Sequence, residues 1–212
     1  IKSPEDLKGR SAAMHIPGTA ADFALRLALK GIGFSLKDIK GVTVGGAPAR
    51  VTAVATGQLD FTVGTEAEKI RGEKFGLKTI IDMAKLNIPF QFTCTVATRR
   101  TIRENPDLVQ RMVRAMAEAV HYYKNNKDPV VKIMQKYARG PDRSFFEEVY
   151  DSNKVLLVDD TYPTLEGLKT TLEIQASIDP KAAKAKAEDF VDLRFVDELK
   201  KSGFIEKLYG KR

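Results

Sequence analysis

What most constrains the fold of this chain is a repeated switch of hydrophobic period in its first eighty-odd residues. Short β-prone runs alternate with stretches of helical pattern, and Gly or Pro stands at nearly every boundary. Ser11 to Ile16 reads as a strand closed by Pro17-Gly18. Thr19 to Lys30 carries Phe23, Leu25, Leu27 and Leu29 among alanines and ends before Gly31 and Gly33, as a helix does. Val42 to Val44 then predicts a second strand, Pro48 to Thr56 a helix stopped by Gly57, and Phe61 to Val63 a third strand. Thr65 to Glu73 predicts a short helix, and Leu77 to Asp82 a fourth strand. Alternation on this scale needs parallel strands joined by crossover helices, so the expected class is α/β.

One more β-prone run, Phe90 to Thr98, precedes a change of character, after which the pattern is nearly all helical. Asn105 and Pro106 give a start signal for a helix over Asp107 to Asn125, where Leu108, Val109, Met112, Val113, Met116 and Val120 form an apolar stripe expected to be core. Further helices are predicted over Pro129–Tyr137, Arg143–Lys154, Thr164–Ile178 and Val191–Lys201, the last halted by Gly203. There is no internal repeat and no low-complexity linker. With 212 residues, 43% hydrophobic and 30% charged, the chain can bury a core as one large domain or two small lobes.

The same sequence disfavours several function classes. No apolar run approaches the roughly 18 residues of a membrane span, and the start, Ile1-Lys2-Ser3-Pro4, lacks the order of a signal peptide, so any export signal is expected upstream. A net charge of +7 is diluted by interspersed acids, as in Lys181 to Asp189, which reads as solvated helix faces and argues against a nucleic-acid partner. Cys94 is the single cysteine; it precludes an intramolecular disulfide and, within its apolar run, is expected to be a buried structural thiol. His15 and His121 are the only histidines, and neither has metal-ligand spacing, so no metal is expected. Neither a dinucleotide fingerprint, a phosphate-binding P-loop nor a nucleophile elbow occurs, so no cofactor and no catalytic residue is assigned.

In an open parallel sheet, ligands bind beyond the carboxyl ends of the strands, where helices begin. Three junctions of that kind fall within fifty residues. At Pro17-Gly18-Thr19-Ala20-Ala21-Asp22, Thr19 is the expected N-cap with Asp22 as its capping-box partner, leaving Gly18, Thr19 and Ala20 to offer N–H groups to an anionic or carbonyl oxygen. A side chain at Gly18 is expected to crowd that approach. Gly45-Gly46-Ala47-Pro48 pairs glycines that admit close backbone approach with a proline suited to a first helical turn. The third junction is Gly64-Thr65-Glu66, where Glu66 has two readings, a first-turn carboxylate favoured by the helix dipole or a ligand contact from Thr65 and Glu66 together. His15 is read as a hydrogen-bonded histidine at a strand end.

Phrases spread over nearly the whole length resemble one family, the substrate-binding proteins of ABC importers in the NMT1-like or SsuA/TauA-like group. They are Ser3-Pro4-Glu5-Asp6-Leu7-Lys8-Gly9, Pro17 to Phe23, Val44 to Arg50 with Gly57-Gln58-Leu59-Asp60, Val96 to Arg100, Asn105-Pro106-Asp107, Tyr162-Pro163-Thr164 and Asp189 to Leu193. The resemblance implies a type II periplasmic-binding fold with 1–88 as an α/β lobe two and 89–212 as a mostly helical C-terminal part of lobe one. It implies further that a lobe-one segment stands before Ser3 and supplies ligand groups of its own. The implied function is solute binding, without catalysis, for a membrane permease, on the periplasmic side or anchored at the outer face of the cytoplasmic membrane. An enzyme on the same fold, as in thiamine-pyrimidine synthases, and a TRAP-type receptor are the alternatives. The isolated 212 residues are expected to self-associate.

Overall fold

A computed structural model describes residues 1–140 and 142–210. Its contacts group into two compact units, Ile1–Phe92 with Thr164–Ala187, and Thr93–Pro163 with Glu188–Arg212.

In the first unit, strand β1 (Ser11–Met14) lies between β2 (Lys40–Thr43) and β3 (Phe61–Thr62), all parallel. Helices α1 (Ala20–Gly31), α2 (Ala47–Ala55) and α3 (Glu66–Glu73) follow β1, β2 and β3 in turn. Helix α1 is buried on two faces, which accounts for its dense apolar sequence. Leu25 and Leu29, one turn apart, pack with Ala12, Met14 and Ile39, whereas Phe23 and Leu27 pack with Ile174 of a later helix, α8 (Leu165–Ala176). Each such leucine contributes about 1.5–3 kcal/mol by leaving water. Residues 164–187, read from sequence with the C-terminal part, thus pack in the first unit.

The second unit is helical among its described residues: α4 (Arg99–Glu104), α5 (Pro106–Asn125), α6 (Lys127–Ala138), α7 (Arg143–Lys154), α9 (Arg194–Lys201) and α10 (Phe204–Leu208). Val130, Val131, Phe146 and Tyr150 form one core, where Tyr123 stacks on Tyr150 at 4.8 Å between ring centroids. Ala117, Leu199 and Ile205 form another.

Four sequence expectations need correction. Leu77 to Asp82 is not a strand: the Leu77 N–H donates to Gly72 O and closes the end of α3, and Asp82 caps a short 3₁₀ turn by accepting from the Ala84 N–H. Phe90 to Thr98 does not form a strand, and Gln91 is engaged with the start of α8, its side-chain oxygen accepting from the Thr164 N–H. Cys94 is consequently exposed. The α5 stripe divides by helical geometry: Val113 and Ala117 face the Leu199 core, whereas Leu108, Met112 and Met116 are exposed. No helix among the described residues is long and apolar enough to cross a membrane.

Candidate functional site

The sheet order brings the three expected junctions to one edge. Met14 is in register with Thr43 and Ala13 with Thr62, so the chain leaves all three strands on the same side, where α1, α2 and α3 begin.

At the first junction Thr19 is the N-cap of α1, its hydroxyl accepting from the Asp22 N–H at 3.4 Å. The hydroxyl hydrogen goes to Ile16 O at 2.8 Å, so His15 Nδ1, 3.0 Å from the same oxygen, is the donor in that pair. Asp22 does not complete a capping box on Thr19. Its Oδ2 accepts instead from the Gly18 N–H and from Arg26 Nε, both at 3.0 Å, while its buried Oδ1 has no partner among the described residues. The Gly18 N–H is therefore already occupied, and the N–H groups here without a partner among the described residues are those of Thr19, Ala20 and Ala21. Gly18 has φ +80° and a Cβ there would meet nothing within 4 Å, so the turn requires glycine for its backbone angle and not for room.

At the second junction Gly46 is the N-cap of α2, with Pro48 in the first turn. Gly46 has an ordinary φ of −61°, and a Cβ there would approach only Pro48 Cδ, at 3.9 Å. Among the described residues neither the backbone angle nor a close neighbour demands glycine at that position. At the third junction Glu68, unremarked in the sequence, accepts from the Thr65 N–H at 2.8 Å and its hydroxyl at 2.6 Å. Glu66 accepts from Lys69 Nζ at 3.2 Å, and that bond is the main reason the Lys69 pKa is raised. Gly18, Ala20, Gly46 and Thr65 are exposed, and Thr19, Gly45 and Glu66 are half-buried.

Two charged side chains near this edge were not assigned a role from sequence. Asp22 and Arg50 are 1% and 4% exposed, the buried charged groups among the described residues. Arg50 donates through Nη1 to Gly45 O at 2.7 Å, through Nη2 to Val63 O at 3.4 Å and through Nε to Thr62 Oγ1 at 3.3 Å. Burial lowers its pKa, and the field of Glu68 opposes that. A signal existed: Arg50 shares a helical face with Ala53 and Val54, an odd place for an exposed cation. No group of acids, histidines and cysteines suited to a metal occurs among the described residues.

Against known proteins, the fold is that of the periplasmic binding proteins. A sulfonate-binding protein named SsuA, from Methylobacillus flagellatus KT, superimposes with a TM-score of 0.66 at 20% identity, covering 97% of this chain and 64% of that one. The periplasmic aliphatic sulphonate-binding protein SsuA of Escherichia coli gives 0.64 at 19% identity, covering 92% and 60%. A protein of Bordetella bronchiseptica RB50 gives 0.68 at 20% identity, covering 99% and 68%. In sequence, proteins named as binding proteins from Brucella abortus and Brucella suis are 28% identical over 145 residues, which is 66% of this chain. The chain spans 44% of the length of those relatives. The model of the NMT1/THI5-like family matches residues 1–129, well over half of the sequence, and the chain belongs to that family.

Proposed function

We propose that the chain is part of the solute-binding component of an ABC importer and that its solute, a small organic or oxyanionic molecule, meets the protein at the edge built from Gly18, Thr19, Ala20, Gly45, Gly46, Thr65 and Glu66. The observation that carries this reading is the alignment of three helix starts at one sheet edge, where the N–H groups of Ala20, Ala21, Gly46, Ala47, Glu66 and Ala67 have no partner among the described residues. Unbonded N–H groups and the positive ends of helix dipoles favour an acceptor oxygen. Family membership and the binding-protein names of the Brucella relatives support the same reading. Residues 1–88 then form most of lobe two, and the rest of the cleft comes from lobe one. The partner is a permease, the location is periplasmic, and the solute leaves chemically unchanged.

The test is a thermal-shift screen of the full-length protein, followed by calorimetry, against alkanesulfonates, carboxylates, pyrimidines and amines. Because a ligand of the native state raises its melting temperature, a bound class shows as a concentration-dependent increase. Sulfonates head the panel, since two structural neighbours carry that name. No increase with any class would overturn the reading. Recovery of a chemically altered solute after incubation with pure protein would move it to the enzymes.

A further inference from the structure

Arg50 is buried and forms no ion pair among the described residues, although the field of Glu68 reaches it. Asp22, the other buried charge, has Arg26 at 3.0 Å, but no carboxylate among the described residues lies within ion-pair distance of the Arg50 guanidinium. Its three hydrogen bonds all go to neutral oxygens. Burying a cation on such terms is costly, and an apolar side chain of similar length would fill the space at less cost. Packing alone is not a sufficient account of an arginine here.

The placement of the three acceptors offers a better one. Gly45 follows β2 and Val63 follows β3, and these strands are not neighbours, since β1 lies between them. The guanidinium therefore ties two turns together across the end of the central strand. Thr62 extends the tie to that strand, because its hydroxyl accepts from Arg50 Nε and donates to Ala13 O at 2.8 Å. One planar group with forked donors thus fixes the ends of all three strands, which a lysine ammonium on a longer, freely rotating stem does not reproduce.

Fixing the carbonyls also fixes what lies across each peptide bond. No peptide here is cis, and in a trans peptide the C=O and the following N–H point in opposite directions. With the Gly45 and Val63 carbonyls turned towards the guanidinium, the N–H groups of Gly46 and Gly64 are turned away from it. Neither has a partner among the described residues. Gly45 has a φ of +99°, a backbone angle that favours glycine.

We propose that Arg50 is a positioning residue for the solute: by holding the carbonyls of Gly45 and Val63, it aims the N–H groups of Gly46 and Gly64 at an acceptor oxygen of the ligand. The positive charge behind both groups favours an acceptor oxygen, a bias that the Glu68 carboxylate beside Gly64 reduces. This assignment deepens the solute-binding reading and rests on it. Arg50 itself does not touch the solute; it acts through the two turns.

The experiment uses the full-length protein with ¹⁵N-labelled glycine, the variants Arg50→Lys and Arg50→Met, and ethanesulfonate as probe. Amide order parameters of Gly46 and Gly64 should fall from about 0.85 to below about 0.6 in both variants, with Gly18 unchanged as the internal control. Ethanesulfonate affinity should fall about tenfold or more, as far in Arg50→Lys as in Arg50→Met, because pre-organisation is lost in both. If Arg50→Met does not fold, Arg50→Lys carries the test, since it keeps the charge and the stem. Wild-type affinity in Arg50→Lys would overturn the proposal by showing that charge alone suffices. Unchanged Gly46 and Gly64 amides in a variant that is merely less stable would overturn it as well, leaving Arg50 a structural residue. A wild-type protein that does not bind ethanesulfonate would count against sulfonates as the solute class, and the amide measurements would then decide the role of Arg50 by themselves.

Discussion

Ser11 and Asp60, 49 residues apart, exchange hydrogen bonds in both directions at the edge of the sheet opposite the candidate site. Asp60 Oδ2 accepts from the Ser11 N–H at 2.8 Å and from Ser11 Oγ at 2.6 Å, and the Asp60 N–H donates back to Ser11 Oγ at 3.1 Å and Ser11 O at 3.0 Å. The start of β1 is thereby fastened to the start of β3. Parallel strands far apart in sequence have no hairpin to set their register, and this pair sets it instead.

The Ser11 hydroxyl first, and then its N–H, hold the Asp60 carboxyl below the usual carboxylate range. The folded pKa is thus lower than the unfolded one, near 3.9, so this contribution to stability is complete above that value and is lost as pH falls through the folded pKa. Asp60→Asn should lower stability at pH 7 by about 1 kcal/mol or less, because the side chain is 37% exposed and the interaction is screened. Urea titrations over a series of pH values from 7 downward check this, with the gap between wild type and variant narrowing as the pH falls. Solute affinity at pH 7 should be unchanged, because the pair lies at the far edge.

At the other end of β1, Asp22 and Gly18 shape the first of the three turns in the candidate site. Asp22→Ala would leave the Gly18 N–H and Arg26 without their acceptor, and should cost about 2–4 kcal/mol. Gly18→Ala and Gly18→Val should each cost about 1–2 kcal/mol through the left-handed backbone angle, since no neighbour lies within 4 Å to be crowded. Thermal unfolding of the two glycine variants decides between strain and crowding. Similar losses indicate strain, and a much larger loss for valine would indicate crowding.

Gly167, in the first turn of α8, presents the opposite case. A Cβ there would lie 2.6 Å from the backbone nitrogen of Gln91 and 2.9 Å from the carbonyl carbon of Phe90. Backbone cannot yield as a side-chain tip does, so Gly167→Ala should destabilise by about 1–3 kcal/mol through overpacking. Equilibrium urea unfolding measures it, and a neutral result would mean that residues 90–91 do not pass against this helix.

Sequence patterns revealed elements whose signal is local. The first three strands, their helices and the cap at Thr19 follow from period, glycine position and N-cap chemistry, each decided within a few residues. What they did not reveal depends on partners remote in the chain. Leu77 to Asp82 and Phe90 to Thr98 have strand composition, but a strand needs a neighbour, and the ends of α3 and α8 claim their polar groups first. The same limit hid Arg50 in the candidate site, whose acceptors at Gly45, Thr62 and Val63 converge only when the sheet forms.

Helix α5 carries the last prediction. Leu108, Met112 and Met116 stand four residues apart on one face and are 51%, 47% and 39% exposed. Beside them, Ala115, Ala119 and Tyr122 of α5, with Ile133 and Met134 of α6, line a mostly apolar groove of about 500 Å³ that Glu118 borders. A continuous apolar face of this kind drives association in water. The net charge of +7 opposes it, since copies of the chain repel one another. The two forces differ in their response to salt, which screens the repulsion and leaves hydrophobic contact intact. The 212-residue chain should therefore self-associate as concentration rises, and more strongly at 0.5 M salt, where the screening length is only about 4 Å, than at 0.05 M. Met112→Lys with Met116→Lys should restore a monomer at both salt concentrations, with little change in melting temperature, because neither side chain is in a core. Light scattering and sedimentation velocity measure this. A monodisperse monomer of the unmutated chain at high salt would show that this face has no tendency to pair, and association that weakens with salt would place its origin in charged groups instead.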